Sequence, residues 1–221
     1  MPKPARKKAP VPKKAARTRG RPREFVREVA LGQAMRLFWF KGFEATSISD
    51  LVEAMGIASP SLYAAFGSKE ALYAESIRHY GATHEPLFWS NFHAAATARD
   101  AVQALLNDTA ATLAAQRGKA SHGCMVALSS VGGQGHEQLG ELVRLAREKG
   151  LLRVKKRLAQ AVTEGEIPAG VDCHALARFV QTVQVGMSIV ARDGASRAEL
   201  EEVARGAMDG WDARVSRALG V

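Results

Sequence analysis

The segment FEATSISDLVEAMGIASPSLYAAFGSKEAL (residues 43–72) decides the fold of this chain. Ser47 is expected to begin a short helix, because Asp50 follows three residues later at the spacing of a capping box. Gly56 is placed to end that helix, and Ser59 is expected to cap a second helix after a tight turn. Two short helices in this order predict a helix-turn-helix, although a helical hairpin that binds no DNA has the same periodicity.

Helical periodicity continues on both sides of this segment. The preceding stretch has one apolar face, formed by Val26, Ala30, Ala34, Leu37 and Phe38. A fourth helix begins after Ser68, and later helices are predicted at about residues 99–117, 123–131, 136–164, 173–192 and 196–219. No alternating apolar run predicts a strand. The expected fold is all-α, with several short N-terminal helices followed by longer ones.

The positive charge is concentrated at the N-terminus. Residues 1–23 hold ten basic side chains and no acidic one, whereas the other 198 residues carry 21 basic and 22 acidic side chains. Such a segment, which is also rich in Pro and Ala, is expected to form a disordered basic arm. Its charge suits a polyanion such as DNA, RNA or an anionic membrane surface, while the alternative is a tail that only improves solubility.

Within this arm, the sequence Arg19-Gly20-Arg21-Pro22 is similar to the core of an AT-hook. Gly permits close approach to DNA, Pro keeps the backbone extended, and Arg is attracted to the negative potential of a narrow minor groove. Because these residues lie just before the first helix, Arg19 and Arg21 are predicted to contact the minor groove.

Composition and motifs argue against several other classes of protein. No apolar run approaches the 18 residues of a membrane span, and two cysteines make no disulfide framework, so a reducing cytoplasm is the expected location. The chain has no nucleophile elbow, P-loop or dinucleotide fingerprint, so neither enzymatic activity nor a cofactor is expected. No metal site is expected either, since no compact zinc spacing relates His122, Cys124, His136, Cys173 and His174.

The residues from Phe43 to Leu51 and from Gly56 to Leu72 resemble the DNA-binding signature of the tetracycline-repressor (TetR) family. Two positions differ from the commonest pattern, since Pro60 replaces a frequent Gly and Ala65 a frequent His. The resemblance implies an all-α homodimer with an N-terminal three-helix helix-turn-helix DNA-binding domain (24–72). It also implies a palindromic operator and a ligand cavity in the larger helical domain. That domain (73–221) is therefore expected to bind a small-molecule effector and to form the dimer.

The resemblance also implies which side chains contact DNA. Tyr63 and Lys69 are expected at backbone phosphates, and Thr46 and Ser47 are expected to offer hydroxyl and amide donors to phosphate. Bases are expected to face Ser59, Pro60 and Ser61. Tyr63 could instead be a packing residue, and Lys69 a solvated charge.

The last two helices carry apolar stripes, which a second copy could cover to form a four-helix bundle. The predicted dimer contacts are Phe179, Val183, Met187, Met208, Trp211 and Val215. The alternative is that both stripes belong to the core of one chain.

A ligand cavity is expected among the helices of residues 81–190. Its candidate lining residues are Phe88, Trp89, Phe92, Cys124 and Phe179, each of which could equally fill the core. Cys124 is near a predicted helix start and two residues from His122, so it could be a reactive thiolate. The apolar run that follows favours a buried, inert thiol packed behind the cavity.

Two functional hypotheses follow from these features. The first is a sequence-specific transcriptional regulator, a repressor that a small-molecule effector releases from its operator. The second is an architectural DNA-binding protein that relies on the basic arm and has little sequence preference.

Overall fold

The computed structural model describes residues 26–115, 122–133 and 135–218, so the arm with Arg19 and Arg21 lies outside the described residues. These ranges contain nine helices and no strand, which confirms the all-α expectation. The helices are α1 (Arg27–Lys41), α2 (Ile48–Met55), α3 (Ser59–Phe66), α4 (Lys69–Ala94), α5 (Ala98–Ala115), α6 (Met125–Leu128), α7 (Glu137–Thr163), α8 (Cys173–Arg192) and α9 (Arg197–Ala218). None of them has the combined length and apolarity that crossing a lipid bilayer requires.

The capping box predicted at the start of α2 is present. The Asp50 amide donates to the Ser47 hydroxyl at 3.0 Å, and the Ser47 amide donates to the Asp50 carboxylate at 2.9 Å. The hydrogen bond from the Ser47 amide, together with Lys41, lowers the pKa of Asp50 to about 2. Gly56 ends the helix with φ 65°, a left-handed conformation that glycine adopts without steric cost. The turn between α2 and α3 therefore has the geometry that its sequence predicts.

Two local predictions were wrong. Ser59 is the first residue of α3 rather than its cap, since Ala58 occupies the cap position without a side-chain hydrogen bond. The helix expected at 123–131 shrinks to the four residues of α6, because Cys124 and Ser129 on either side are extended. The helix expected at 173–192 has those bounds in the structure.

Buried side chains form two clusters. One draws on α4, α5 and α7–α9, and the other on α1–α3 and the first half of α4. We call α1–α3 the head; its core is completed by Met125, Leu139 and Val143, which lie far along the chain. Helix α4 passes through residue 72 without a break, so the predicted division into 24–72 and 73–221 falls inside a helix. That division stays a prediction.

Helix α1 is fastened at both of its ends. Near its start, the Arg27 guanidinium donates to the Glu75 carboxylate at 2.7 Å and lies 4.4 Å from the centre of the Phe66 ring. Near its end, the Trp39 indole nitrogen donates to the Gly123 carbonyl at 3.1 Å, and its ring meets the edge of Tyr80. The head is thereby connected to α4 and to the segment before α6.

Candidate nucleic-acid interface and cavity

Helix α3 has one buried face and one face in solvent. Leu62 and Phe66 are buried against the head, whereas Pro60 and Ser61 are exposed and Tyr63 is 48% exposed. Ser59 is half-buried. None of the eight residues of α3 carries a charge, so this face offers hydroxyl groups and small side chains to a groove. Any attraction to phosphates must come from residues around α3.

One predicted phosphate donor is wrong and a second is restricted. Thr46 is only 1% exposed, and its hydroxyl donates to the Gly42 carbonyl at 2.6 Å, so it satisfies the end of α1 instead. The Ser47 amide is already bound by the Asp50 carboxylate. Ser47 is exposed and accepts a hydrogen bond from the Asp50 amide, which leaves the hydroxyl proton as its remaining donor.

Lys69 lies in the first turn of α4, immediately after the head. Its ammonium group is 4.2 Å from the centre of the Phe43 ring, a cation–π contact that orients the charge without neutralising it. Phe43 also contacts His136, and the centres of these two rings are 4.8 Å apart. The Phe43 ring therefore fixes the position of the Lys69 ammonium group. Its positive charge remains available for a phosphate.

A cavity of about 640 Å³ lies behind the head, with walls from α4 and α6–α8. Three of the candidate lining residues, Phe88, Trp89 and Cys124, are in its wall. Two predicted lining residues were wrong because other parts of the core cover them. Phe92 is buried beside Trp89 but is absent from the cavity wall, and Phe179 packs against α9, with Arg214 4.9 Å from its ring centre.

The polar groups of the cavity were not anticipated from the sequence. Glu85 on α4 accepts hydrogen bonds from two cations on α7, Arg153 at 2.6 Å and Lys149 at 3.2 Å. Burial alone would raise the pKa of Glu85, but these hydrogen bonds lower it below the usual value. No role was assigned to Lys149 or Arg153 from the sequence. The signal that could have identified them is their spacing of four residues, which places both on one face of α7.

Tyr80 also lines the cavity and is 3% exposed. Its hydroxyl makes no hydrogen bond of good geometry with the residues that the structure describes, although the Cys124 thiol and the Met125 amide lie close to it. Burial, and then the neighbouring Cys124 thiol, raise the pKa of Tyr80 well above its usual value, so the phenol keeps its proton. A buried donor without a good acceptor costs free energy, and a ligand atom that accepted a hydrogen bond from this hydroxyl would remove that cost.

Cys124 lies in the cavity wall and is half-buried, whereas the sequence placed it behind the cavity. Its oxidation chemistry stays an open prediction. Across the described ranges, no three His, Cys, Asp or Glu side chains gather closely enough to hold a metal ion.

Three of the predicted dimer contacts are buried in the core of a single protomer. Met187, Met208 and Trp211 are at most 4% exposed in a single protomer, so their apolar surface is already covered. They cannot form the face that a second copy covers. Phe179, Val183 and Val215 are only partly buried and stay predictions. The same two helices also expose Val190, which belongs to the predicted apolar stripe, and two large apolar side chains that sequence reasoning missed, Ile189 and Val203.

The chain is similar to known regulators over most of its length. It matches the family model of "Bacterial regulatory proteins, tetR family" over residues 30–76. It is 33% identical to the HTH-type transcriptional repressor ComR of Escherichia coli K12, over 88% of this chain and 93% of that relative. It is 47% identical to the repressor BdcR of the same organism over 73 residues, which are 33% of this chain and 37% of BdcR.

Solved structures give the same result. A cysteine-substituted form of the TetR family regulator CifR, complexed with 26-base-pair operator DNA, is 35% identical with a TM-score of 0.79. The match covers 86% of this chain and 98% of the CifR chain. Because ComR and CifR, both above 30% identity, align over nearly their whole length, this chain belongs to the tetracycline-repressor family of bacterial transcriptional regulators.

Proposed function

We propose that the protein is a repressor that binds a palindromic operator as a homodimer and leaves it when a small molecule occupies the cavity. One observation carries this proposal: α4 has Lys69 beside the DNA-facing side of the head and Glu85, Phe88 and Trp89 in the cavity wall. A single helix thus connects the two sites. The names of ComR and BdcR as repressors, and the operator complex of CifR, support the same function.

In this proposal, α3 enters the major groove with Ser59, Pro60 and Ser61 towards the bases. Tyr63 and Lys69 contact phosphates, and Arg19 and Arg21 of the arm lie in the adjacent minor groove. A second copy packs on α8 and α9, where Ile189, Val190 and Val203 are exposed beside the partly buried predicted contacts. The protein acts in the cytoplasm, where its operator is accessible.

Footprinting of the full chain on the DNA flanking its own gene tests the proposal. A sequence-specific dimer protects two half-sites about one helical turn apart, because each α3 occupies one major groove. As a matched control, the Ser59→Ala/Ser61→Ala variant keeps the fold and loses the footprint. Uniform protection by both proteins would favour the architectural alternative.

Tyr63→Phe is expected to weaken operator binding by about 0.5–1.5 kcal/mol, because one hydrogen bond to phosphate is lost. The melting temperature should not change, since the Tyr63 side chain is 48% exposed and its hydroxyl has no hydrogen bond to any residue in the described ranges. Fluorescence anisotropy with labelled operator measures the affinity.

Tyr73→Phe is the control for this experiment. Tyr73 is buried, and its hydroxyl lies 2.8 Å from that of Ser129, so this variant should melt earlier while binding DNA normally. Unchanged affinity in Tyr63→Phe would show that the Tyr63 hydroxyl does not contact phosphate.

A further inference from the structure

We propose that the cavity takes an organic acid with an apolar body, and that the ligand's carboxylate replaces that of Glu85 between Lys149 and Arg153. The ligand class is argued from the cavity alone. The effect on DNA rests on the function proposed above, so the two are tested separately.

The interior of the cavity is apolar. Phe88 and Trp89 of α4 face a wall that includes Leu142 of α7 and Val185 of α8. Gly150 adds no side chain to this wall, and a Cβ placed there would lie 3.5 Å from the Trp89 ring. A ligand enclosed here must bury an aromatic or aliphatic body, since a polar one would lose its water without replacement.

The charges of the cavity favour an anion. Its lining holds four cations, Arg78, Arg147, Lys149 and Arg153, and one carboxylate, that of Glu85. Arg147 is committed to the carbonyls of Val126 and Ser129. Arg78 forms no ion pair with any residue in the described part of the chain. Lys149 and Arg153 share Glu85, so the cations outnumber the acceptors that satisfy them.

Glu85 already shows where a carboxylate binds. Its two oxygens receive the Lys149 ammonium and the Arg153 guanidinium, and Arg153 also lies over the Trp89 ring at 5.0 Å from the ring centre. Lys149 is exposed, so this pair stands at the rim of the cavity, where a carboxylate can arrive from water. A ligand carboxylate that competes with Glu85 keeps both cations paired and releases the ion pairs that join α4 to α7.

Tyr80 supplies the second polar contact. A ligand oxygen at the end remote from the carboxylate, such as an ether, carbonyl or hydroxyl oxygen, would accept a hydrogen bond from the Tyr80 hydroxyl. The favoured ligand is therefore an apolar acid with an oxygen acceptor at its far end.

Isothermal titration calorimetry of the full chain without DNA tests the ligand class with three probes of one shape. These are 6-methoxy-2-naphthoate, the matching naphthalenemethanol and the matching naphthylmethylammonium. The carboxylate should bind about tenfold more tightly than the alcohol, and the ammonium most weakly, because a charge-assisted contact is gained only by the anion. Equal or tighter binding of the alcohol would overturn the ligand class.

Variants locate the carboxylate. Glu85→Gln should tighten naphthoate binding about threefold or more, because the competing carboxylate is gone, and should leave alcohol binding unchanged. Glu141→Gln is the matched control, since Glu141 pairs with Arg144 and does not line the cavity. Lys149→Gln should weaken naphthoate binding about tenfold, and Arg153→Gln provides a second test if that variant folds poorly. Naphthoate affinity that Glu85→Gln leaves unchanged would refute the exchange.

Tyr80→Phe separates ligand contact from structure. Removing an unsatisfied donor should leave the unliganded protein at least as stable, yet binding of the methoxy probe should weaken severalfold. Retained affinity would show that Tyr80 meets no ligand oxygen.

A gel-shift assay with operator DNA distinguishes the two levels of the proposal. Naphthoate that binds and releases DNA supports both the ligand class and the proposed regulation. Naphthoate that binds while the operator complex persists supports the ligand class and overturns release by the cavity. If none of the probes binds although the footprint is intact, the ligand class is wrong and the DNA-binding function stands.

Discussion

Replacing Trp211 with alanine is expected to lower the free energy of unfolding by about 3–5 kcal/mol, the usual cost of deleting a large buried aromatic side chain. Trp211 lies on α9 and is 2% exposed within one protomer, in the core that α4, α5 and α7–α9 share. The cavity left behind cannot be filled by small shifts of rigidly packed helices. Urea denaturation followed by far-ultraviolet circular dichroism measures the loss.

Sedimentation of the same variant decides between core and interface. If Trp211 belonged to the dimer face, the variant would yield folded monomers with normal melting behaviour. A core position instead gives early unfolding of the whole protein. Glu202→Ala on the exposed side of α9 is the control and should change stability by no more than about 0.5 kcal/mol.

Operator affinity is expected to fall by about 10³-fold or more between 50 and 200 mM salt, because Lys and Arg release counterions condensed on DNA. The source of this effect is the arm. Residues 26–72 hold four basic and five acidic side chains, and α3 holds none, whereas residues 1–23 hold ten basic ones. The head alone therefore has no net attraction for a polyanion.

Deleting residues 1–18 removes seven of these ten cations and should flatten the plot of log affinity against log salt, while preference for the operator persists. Anisotropy titrations at several salt concentrations measure the slope. A full-length variant with Gln at these seven positions controls for the length of the arm. An unchanged slope in that variant would assign the phosphate contacts to other residues.

Local features of the fold were readable from the sequence. The capping box of Ser47 and Asp50, the turn at Gly56 and the bounds of α8 depend on neighbouring residues, and the structure has all three. Thr46 was wrongly assigned to phosphate, although a Thr hydroxyl can also bond the carbonyl four residues earlier, as it does here with Gly42.

Long-range features were not readable in this way. Periodicity identifies the apolar face of α9, but it does not say whether the same chain or a second copy covers Trp211. Glu85 and its partners are separated by 64 and 68 residues, and no local spacing reveals that they meet. The same reason explains why Phe92 and Phe179 were misplaced, since both are apolar residues whose neighbours are set by packing.

The uninterrupted course of α4 from Lys69 to Ala94 makes it a lever with a built-in pivot. Pro86 lacks an amide hydrogen, so the Ala82 carbonyl has no helical partner and bending is easiest beside Glu85. The part of α4 between Lys69 and Pro86 is about 26 Å long at 1.5 Å per residue. A tilt of about 7° at the pivot moves Lys69 by about 3 Å, close to the 3.4 Å rise of one base pair. A rotation of this size at Pro86 would therefore shift the head by about one base pair along the DNA.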